Sequence, residues 1–233
     1  MKNEKAVVLF SGGVDSTTAL YWAMQEFNAV YTMIVNYEQR HSIEVEMAQK
    51  IAERLQVETR VVRLPLKDIV YSALIDKEKE IPGSLAASKN EAGVPFTYVP
   101  FRNGIFLSLA AAFAESREIF NMVTGFNLID TPDYPDTTTA FTKKMQAAIN
   151  QGTSAAITGK NFTIHTPLIG KSKKEILQMG FQLGVDYSYS VSCYRGDEIP
   201  CLRCPSCDIR LTAFKQLNKE DPLITRLKKE GRL

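Results

Sequence analysis

The sequence predicts an α/β protein, a doubly wound parallel sheet with a small cysteine-rich segment near its C-terminal end. Three observations carry that expectation. Short β-rich runs alternate with segments of helical periodicity over the first 64 residues. A glycine turn, Ser11-Gly-Gly13, divides the first run from the first helical pattern. All four cysteines fall between positions 193 and 207.

Ala6-Val-Val-Leu-Phe10 is an uninterrupted apolar run, the pattern of a parallel strand buried on both faces. Leu20, Ala23, Met24 and Phe27 then recur at helical spacing. Val30–Val35 reads as a second strand. Ile43, Met47, Ile51 and Leu55 repeat every four residues, so a second helix follows. Thr59–Leu64 is a third strand. That order requires right-handed crossovers in one parallel sheet. Residues 76–100, with Gly83, Gly93 and three prolines, read as a long irregular loop. Arg102–Glu115 is helical and apolar on most sides, Ile119–Gly125 is a fourth strand, and residues 126–138 are polar and rich in turns. Thr139–Gln151 is helical, Phe162–His165 is a fifth strand, and Lys173–Leu183 is a further helix.

A chain of 233 residues can bury one sizeable core, or one core with a small appendage. Its net charge of +2 argues neither for nor against nucleic acid, but no basic stripe is evident, so no direct nucleic-acid partner is expected. The nearest thing to one, Arg226–Arg232, reads as a solvated end. No secretory signal is visible, and the most apolar stretch, Ile105–Ala114, is too short to span a bilayer. A cytoplasmic protein without a membrane partner is expected.

Ser11-Gly-Gly-Val-Asp-Ser16 carries the chemistry of the N-terminal half. Glycines let backbone N–H groups approach an anion closely, and the start of the next helix adds unpaired N–H groups and a partial positive charge. Ser11, Ser16, Thr17 and Thr18 add hydroxyls, and Asp15 offers a carboxylate that could cap the helix or orient a metal ion. The G-x-x-x-x-G-K-[ST] loop fails at Gly83–Asn90, where Ser88 replaces the second glycine, and at Gly152–Asn161 on spacing. The G-x-G-x-x-G pattern is absent from residues 11–16. Without a lysine to reach a γ-phosphate, the loop suits a pyrophosphate held by backbone, hence cleavage of ATP to AMP and pyrophosphate.

Cys193, Cys201, Cys204 and Cys207 form C-x7-C-x2-C-x2-C. Four thiolates make a closed tetrahedral site for structural Zn²⁺. The same spacing also suits an iron–sulfur cluster. With all four thiols committed to one site, none is left over to carry sulfur.

S-G-G-x-D-S after a first strand is the signature of the N-type ATP pyrophosphatase (PP-loop) superfamily, and residues 11–16 resemble it at all five specified positions. With the cysteines, the chain resembles the QueC family of 7-cyano-7-deazaguanine synthases. The match runs through Asn36–Ser42, Tyr98-Val-Pro-Phe-Arg-Asn103, Thr124-Gly125, Tyr134-Pro-Asp136, His165–Leu168 and Lys173-Lys-Glu175, and on to Ser192-Cys-Tyr194 and Pro200–Arg210. The resemblance implies an adenine nucleotide alpha hydrolase-like fold over residues 1–190 with a zinc-binding segment at 191–233, commonly dimeric. It implies that ATP with Mg²⁺ is held by Phe10, Ser11, Gly12, Gly13, Val14, Asp15, Ser16, Thr17, Thr18, Ala19 and Leu20. It makes Asp15, Ser16, Arg102 and Lys173 the catalytic candidates, with Arg102 and Lys173 neutralising phosphate or a substrate carboxylate. The implied substrates are 7-carboxy-7-deazaguanine and ammonia. His41 is given no catalytic role.

The chain departs from the family at Val14, where glutamine is usual, and at Phe101, where glycine is usual. It departs most after the fourth strand, where S-G-Y-P-D-C-R becomes Pro132-Asp-Tyr-Pro-Asp-Thr-Thr138. A diverged member that stops at an amide, or uses another amine, even one on a protein, is the alternative this leaves.

Overall fold

The computed structural model describes residues 3–37, 43–72, 75, 94–95, 98–127 and 134–233. Most of the expected 76–100 loop, His41 and residues 128–133 lie outside the described residues.

Five parallel strands form one sheet in the order β3-β2-β1-β4-β5. They are β1 (Lys5–Leu9), β2 (Ala29–Asn36), β3 (Glu58–Arg63), β4 (Asn121–Val123) and β5 (Thr163–His165). Around them lie α1 (Val14–Glu26), α2 (Ile43–Arg54), α3 (Arg102–Glu115), α4 (Thr139–Gly152), the one-turn α5 (Ala155–Thr158), α6 (Lys173–Gln182), α7 (Pro205–Gln216) and α8 (Pro222–Lys229). The alternation of β1 sets the two layers. Ala6 and Val8 point into a core shared with α1, α2, α6 and α7, while Val7 points into a second core shared with α3 and α4. The doubly wound sheet read from the sequence is therefore the fold, and its core is buried on both faces as a parallel sheet demands.

Strand order reverses between β1 and β4. The connections leaving their carboxyl ends run to opposite faces and open a crevice, the position at which open α/β sheets hold ligands. Strand β4 is shorter than the expected Ile119–Gly125 because its outer neighbour β5 offers only three residues for pairing.

The C-terminal end corrects the sequence reading. Residues 226–232 are not simply a solvated tail. Asp221 caps α8 by accepting from Leu223 N–H at 3.0 Å, Pro222 opens its first turn, and Leu223 and Leu227 are buried. Arg226 lies against Tyr189 and donates to the Ser188 carbonyl at 2.8 Å. Lys228 to Leu233 alone face solvent. A charge run concealed one apolar stripe, with its two leucines four residues apart. Among the described residues no helix is long and apolar enough to cross a membrane.

Candidate active site and thiol centre

The turn from β1 into α1 is clamped by its neighbours. Gly12 has φ +75°, and a Cβ there would sit 3.0 Å from Ala48 Cα. On the other side a Cβ on Gly125 would come 2.8 Å from Ser16 N. The α1 N-cap is Gly13, in extended conformation, and no side chain caps the helix. Ser16 Oγ lies 3.0 Å from Ser11 Oγ and accepts from Ser11 N–H at 3.2 Å, which closes the loop on itself. The helix thus presents its positive end without a capping side chain at the carboxyl end of β1.

A cavity of about 380 Å³ opens there. Of the residues expected to hold nucleotide, Phe10, Ser11, Gly13, Val14, Asp15 and Ser16 line it. Gly12 shapes the turn from behind. The Thr17 hydroxyl donates to the Gly13 carbonyl at 2.8 Å, and Thr18 donates to the Val14 carbonyl and meets the Tyr187 hydroxyl at 2.7 Å. Both hydroxyls point into helix and core, because their positions on α1 face the sheet. Ala19 and Leu20 are fully buried in that core.

Arg102 and Lys173 also line the cavity. Lys173 stands at the first position of α6, fixed by the Ser172–Glu175 capping box. Its ammonium donates to both oxygens of Asp15 at 2.6 and 2.7 Å, with both side chains mostly buried. Asp15 therefore pairs with a cation instead of capping its own helix. Arg102, at the start of α3, lies over the rings of Tyr37 and Phe106. Burial pushes the Tyr37 phenol up, and the Arg102 charge partly opposes it. Tyr194, also in the cavity wall, is pushed up by burial in the same way.

Phe101 takes the left-handed conformation, with φ 53° and ψ 22°, and stands before α3. That backbone favours glycine. Here the exposed Phe101 ring covers Gly104 and meets Phe141 edge-on at 6.0 Å. Sequence reasoning gave no binding role to Tyr37, Phe106 or Asn127, yet all three line the cavity. Tyr37 and Asn127 follow β2 and β4 closely, so the carboxyl-end rule could have found them.

The four cysteine sulfurs lie within 4.8 Å of one another and form no disulfide. A tetrahedral zinc with Zn–S bonds near 2.3 Å would set its sulfurs roughly 3.8 Å apart, so this donor set fits a single ion. Hydrogen bonds from Cys193 and Cys207 push the Cys204 thiol down to about 3, while the same neighbours push Cys207 up. Clustered thiols cannot all ionise without a cation, and a bound metal removes that conflict. Cys204 caps α7 and Cys207 lies in its first turn, so the centre fixes the start of that helix.

A family model described as queuosine biosynthesis protein QueC matches residues 5–218. The chain belongs to the QueC family. The 7-cyano-7-deazaguanine synthase of Saccharophagus degradans is 42% identical over 225 residues, covering 95% of this chain and 98% of that one. The protein of the same name from Trichodesmium erythraeum is 40% identical over 221 residues, covering 94% and 100%. Among solved structures, a 4-thiouridine synthetase in complex with RNA and bound ATP superposes with a TM-score of 0.52 at 18% identity, covering 98% of this chain and 53% of that one. That likeness shows the shared fold. QueC membership makes this a queuosine-biosynthesis chain, and its curated relatives carry a synthase name.

Proposed function

We propose that the chain converts 7-carboxy-7-deazaguanine and ammonia to 7-cyano-7-deazaguanine with ATP. The observation that carries this reading is the α1 N-terminus without a capping side chain, opening beside Asp15 and Lys173 into the same cavity as Arg102. The N–H groups of the loop suit the departing pyrophosphate. A carboxylate oxygen is a poor leaving group. In the first step it attacks the α-phosphorus of ATP and pyrophosphate leaves. Ammonia then adds to the acyl carbon and AMP departs, giving the amide. The amide oxygen is adenylated in turn. Loss of AMP and of the two N–H protons leaves the nitrile. Asp15 would hold Mg²⁺, which would offset charge on the phosphates; Lys173 stabilises phosphate charge, and Ser16 holds the loop in shape.

The four sulfurs suit structural Zn²⁺ better than an iron–sulfur cluster, since their spacing encloses one ion. We place 191–233 as a zinc segment attached to a 1–190 catalytic domain, in a cytoplasmic homodimer. An amide product made with another amine is the second reading, favoured by Thr137 in the cavity wall, one of the positions at which the chain departs from the family pattern.

Incubation with 7-carboxy-7-deazaguanine, ammonia, Mg²⁺ and ATP, followed by mass spectrometry, tests the reading. The nitrile is expected, and an amide end product supports the second reading. Asp15→Ala should abolish AMP formation while the protein remains folded. Full activity in that variant removes the loop from the mechanism.

A further inference from the structure

The first turn of α2 brings a second carboxylate to the cavity. Ala48 of α2 packs against the loop, since a Cβ on Gly12 would sit 3.0 Å from its Cα. Glu44 stands one turn before Ala48, on the same face of the helix and nearer the carboxyl end of the sheet. It is half-buried and lines the cavity, as does its neighbour Val45. Glu46 lies in the same first turn but is exposed, and it already supplies the negative charge that a helix N-terminus favours. Among the described residues, the carboxylates of the cavity wall are Asp15 and Glu44, and Asp15 is bound to Lys173.

Two phenols of the wall stand close to Glu44. Tyr37 directly follows β2, and Tyr194 precedes α7. Burial pushes both phenols up, and the Glu44 charge raises each further against the opposing charge of Arg102. Both are therefore neutral hydroxyls whose oxygens can accept hydrogen bonds. Arg102 lies over the Tyr37 ring and reaches its hydroxyl at 3.4 Å. A cation and a carboxylate thus act on the same phenol, and an acceptor whose carboxylate is seated on Arg102 has Glu44 near its carboxyl carbon. The proposed reaction needs a group there. Near neutral pH ammonia is mostly ammonium, whose fourth proton occupies the lone pair. In that form it cannot add to an acyl carbon, and Arg102 and Lys173 repel it from the cavity unless an anion draws it in.

We propose that Glu44 binds the ammonium ion in the cavity and takes its proton, delivering ammonia to the adenylated acceptor. The inference rests on the proposed nitrile reaction and names the base that reaction requires. The carboxylate and the neighbouring phenol oxygens accept N–H bonds from ammonium. One proton passes to the carboxylate. The freed lone pair forms the bond from nitrogen to the acyl carbon, the bond from that carbon to the AMP oxygen breaks, and AMP leaves with the electron pair. The nitrogen sheds a second proton to give the neutral amide. After the amide oxygen is adenylated, the last two N–H protons leave as the carbon–oxygen bond to AMP breaks and the nitrile forms. Glu44 takes these protons one at a time and returns each to water. A positioned base of this kind contributes about 10²–10⁴-fold.

The test measures AMP formation from 7-carboxy-7-deazaguanine and ATP with two nucleophiles, ammonia and hydroxylamine, in the wild type and in Glu44→Gln. Hydroxylamine is uncharged at neutral pH, needs no base to free its lone pair, and converts the acyl adenylate to a hydroxamate. The amide side chain keeps the size of the carboxylate and removes its charge and its basicity. In Glu44→Gln, kcat/KM for ammonia should fall by about 10²-fold or more, while hydroxamate formation and KM for ATP match the wild type. A variant that uses ammonia as well as the wild type does overturns the assignment and leaves the nitrile reaction standing. So does a variant in which ammonia and hydroxylamine turnover fall together, since Glu44 would then serve adenylation or the fold. A wild type that forms AMP with neither nucleophile removes the proposed function, and this inference with it.

Discussion

His165 ends β5 with its ring against Trp22 and Phe27, and its Nε2 lies 3.0 Å from Asn121 Oδ1. Burial lowers its pKa from 6.5, opposed by Glu4 and Glu26. A folded-state pKa below the unfolded one means the neutral ring stabilises the fold. That contribution is complete above pH 6.5 and is lost as pH falls through the lower folded value. Denaturant midpoints should therefore fall as pH drops from 7.5 toward 5.5, and His165→Gln should flatten that slope. An equal slope in the variant would assign the pH dependence elsewhere. Residue identity was legible where chemistry is local: Asp15 and Ser16 follow from the loop motif, and the cysteines from their spacing. Asp136 and Tyr37 were visible only as family residues. The bond from the Asn103 N–H to Asp136 joins residues 33 positions apart in sequence, which no local pattern shows.

Among elements, the strand-to-helix turn depends on β4 and α2 as much as on its own glycines. Gly125 leaves β4 directly against the backbone of Asp15 and Ser16. Gly125→Ala would set a methyl 2.8 Å from Ser16 N and 2.9 Å from the Asp15 carbonyl carbon, backbone atoms that cannot swing aside. The loop must move, and a displacement near 1 Å is worth on the order of 10²-fold in turnover. Overpacking should cost about 1–3 kcal/mol as well. Steady-state AMP formation should show kcat/KM for ATP falling by about that 10²-fold factor while the protein remains folded. Activity at the wild-type level would mean that β4 does not hold the loop. All five strands and the five helices α1, α2, α3, α4 and α6 were legible, from apolar runs bounded by turns and from helical periodicity. Helices α7 and α8 were not: α7 mixes cysteines with charges and α8 has one pair of leucines, so neither repeats long enough to register.

Across the whole molecule, the cysteine centre is wired into the main core. Helix α7 leads from Cys204 and Cys207 to Phe214, which meets Phe181 and Tyr187 edge-on at 6.2 Å. The Tyr187 hydroxyl then bonds Thr18 inside α1, four residues past the loop's Val14. Arg210 of α7 is buried with Asp221 and donates to it at 2.8 Å, tying α8 to the same helix. Breaking such a buried pair typically costs about 3–5 kcal/mol. Residues 191–233 consequently share apolar packing with the sheet, and Ser192, Tyr194 and Ser206 form part of the cavity wall. This coupling fixes how metal loss should read out. Structural zinc in isolated peptides contributes about 10–16 kcal/mol, and even 4 kcal/mol of it retained here would lower Tm by on the order of 10 °C. Calorimetry after treatment with a strong chelator, or on Cys204→Ser, should show one transition displaced downward, with ATP turnover lost in parallel. Two transitions, the earlier absent from a chain ending at residue 190, would instead show a tail that unfolds alone. The contacts through Phe214, Tyr187 and Arg210 argue for the single transition, because no apolar boundary separates α7 from α1 and α6.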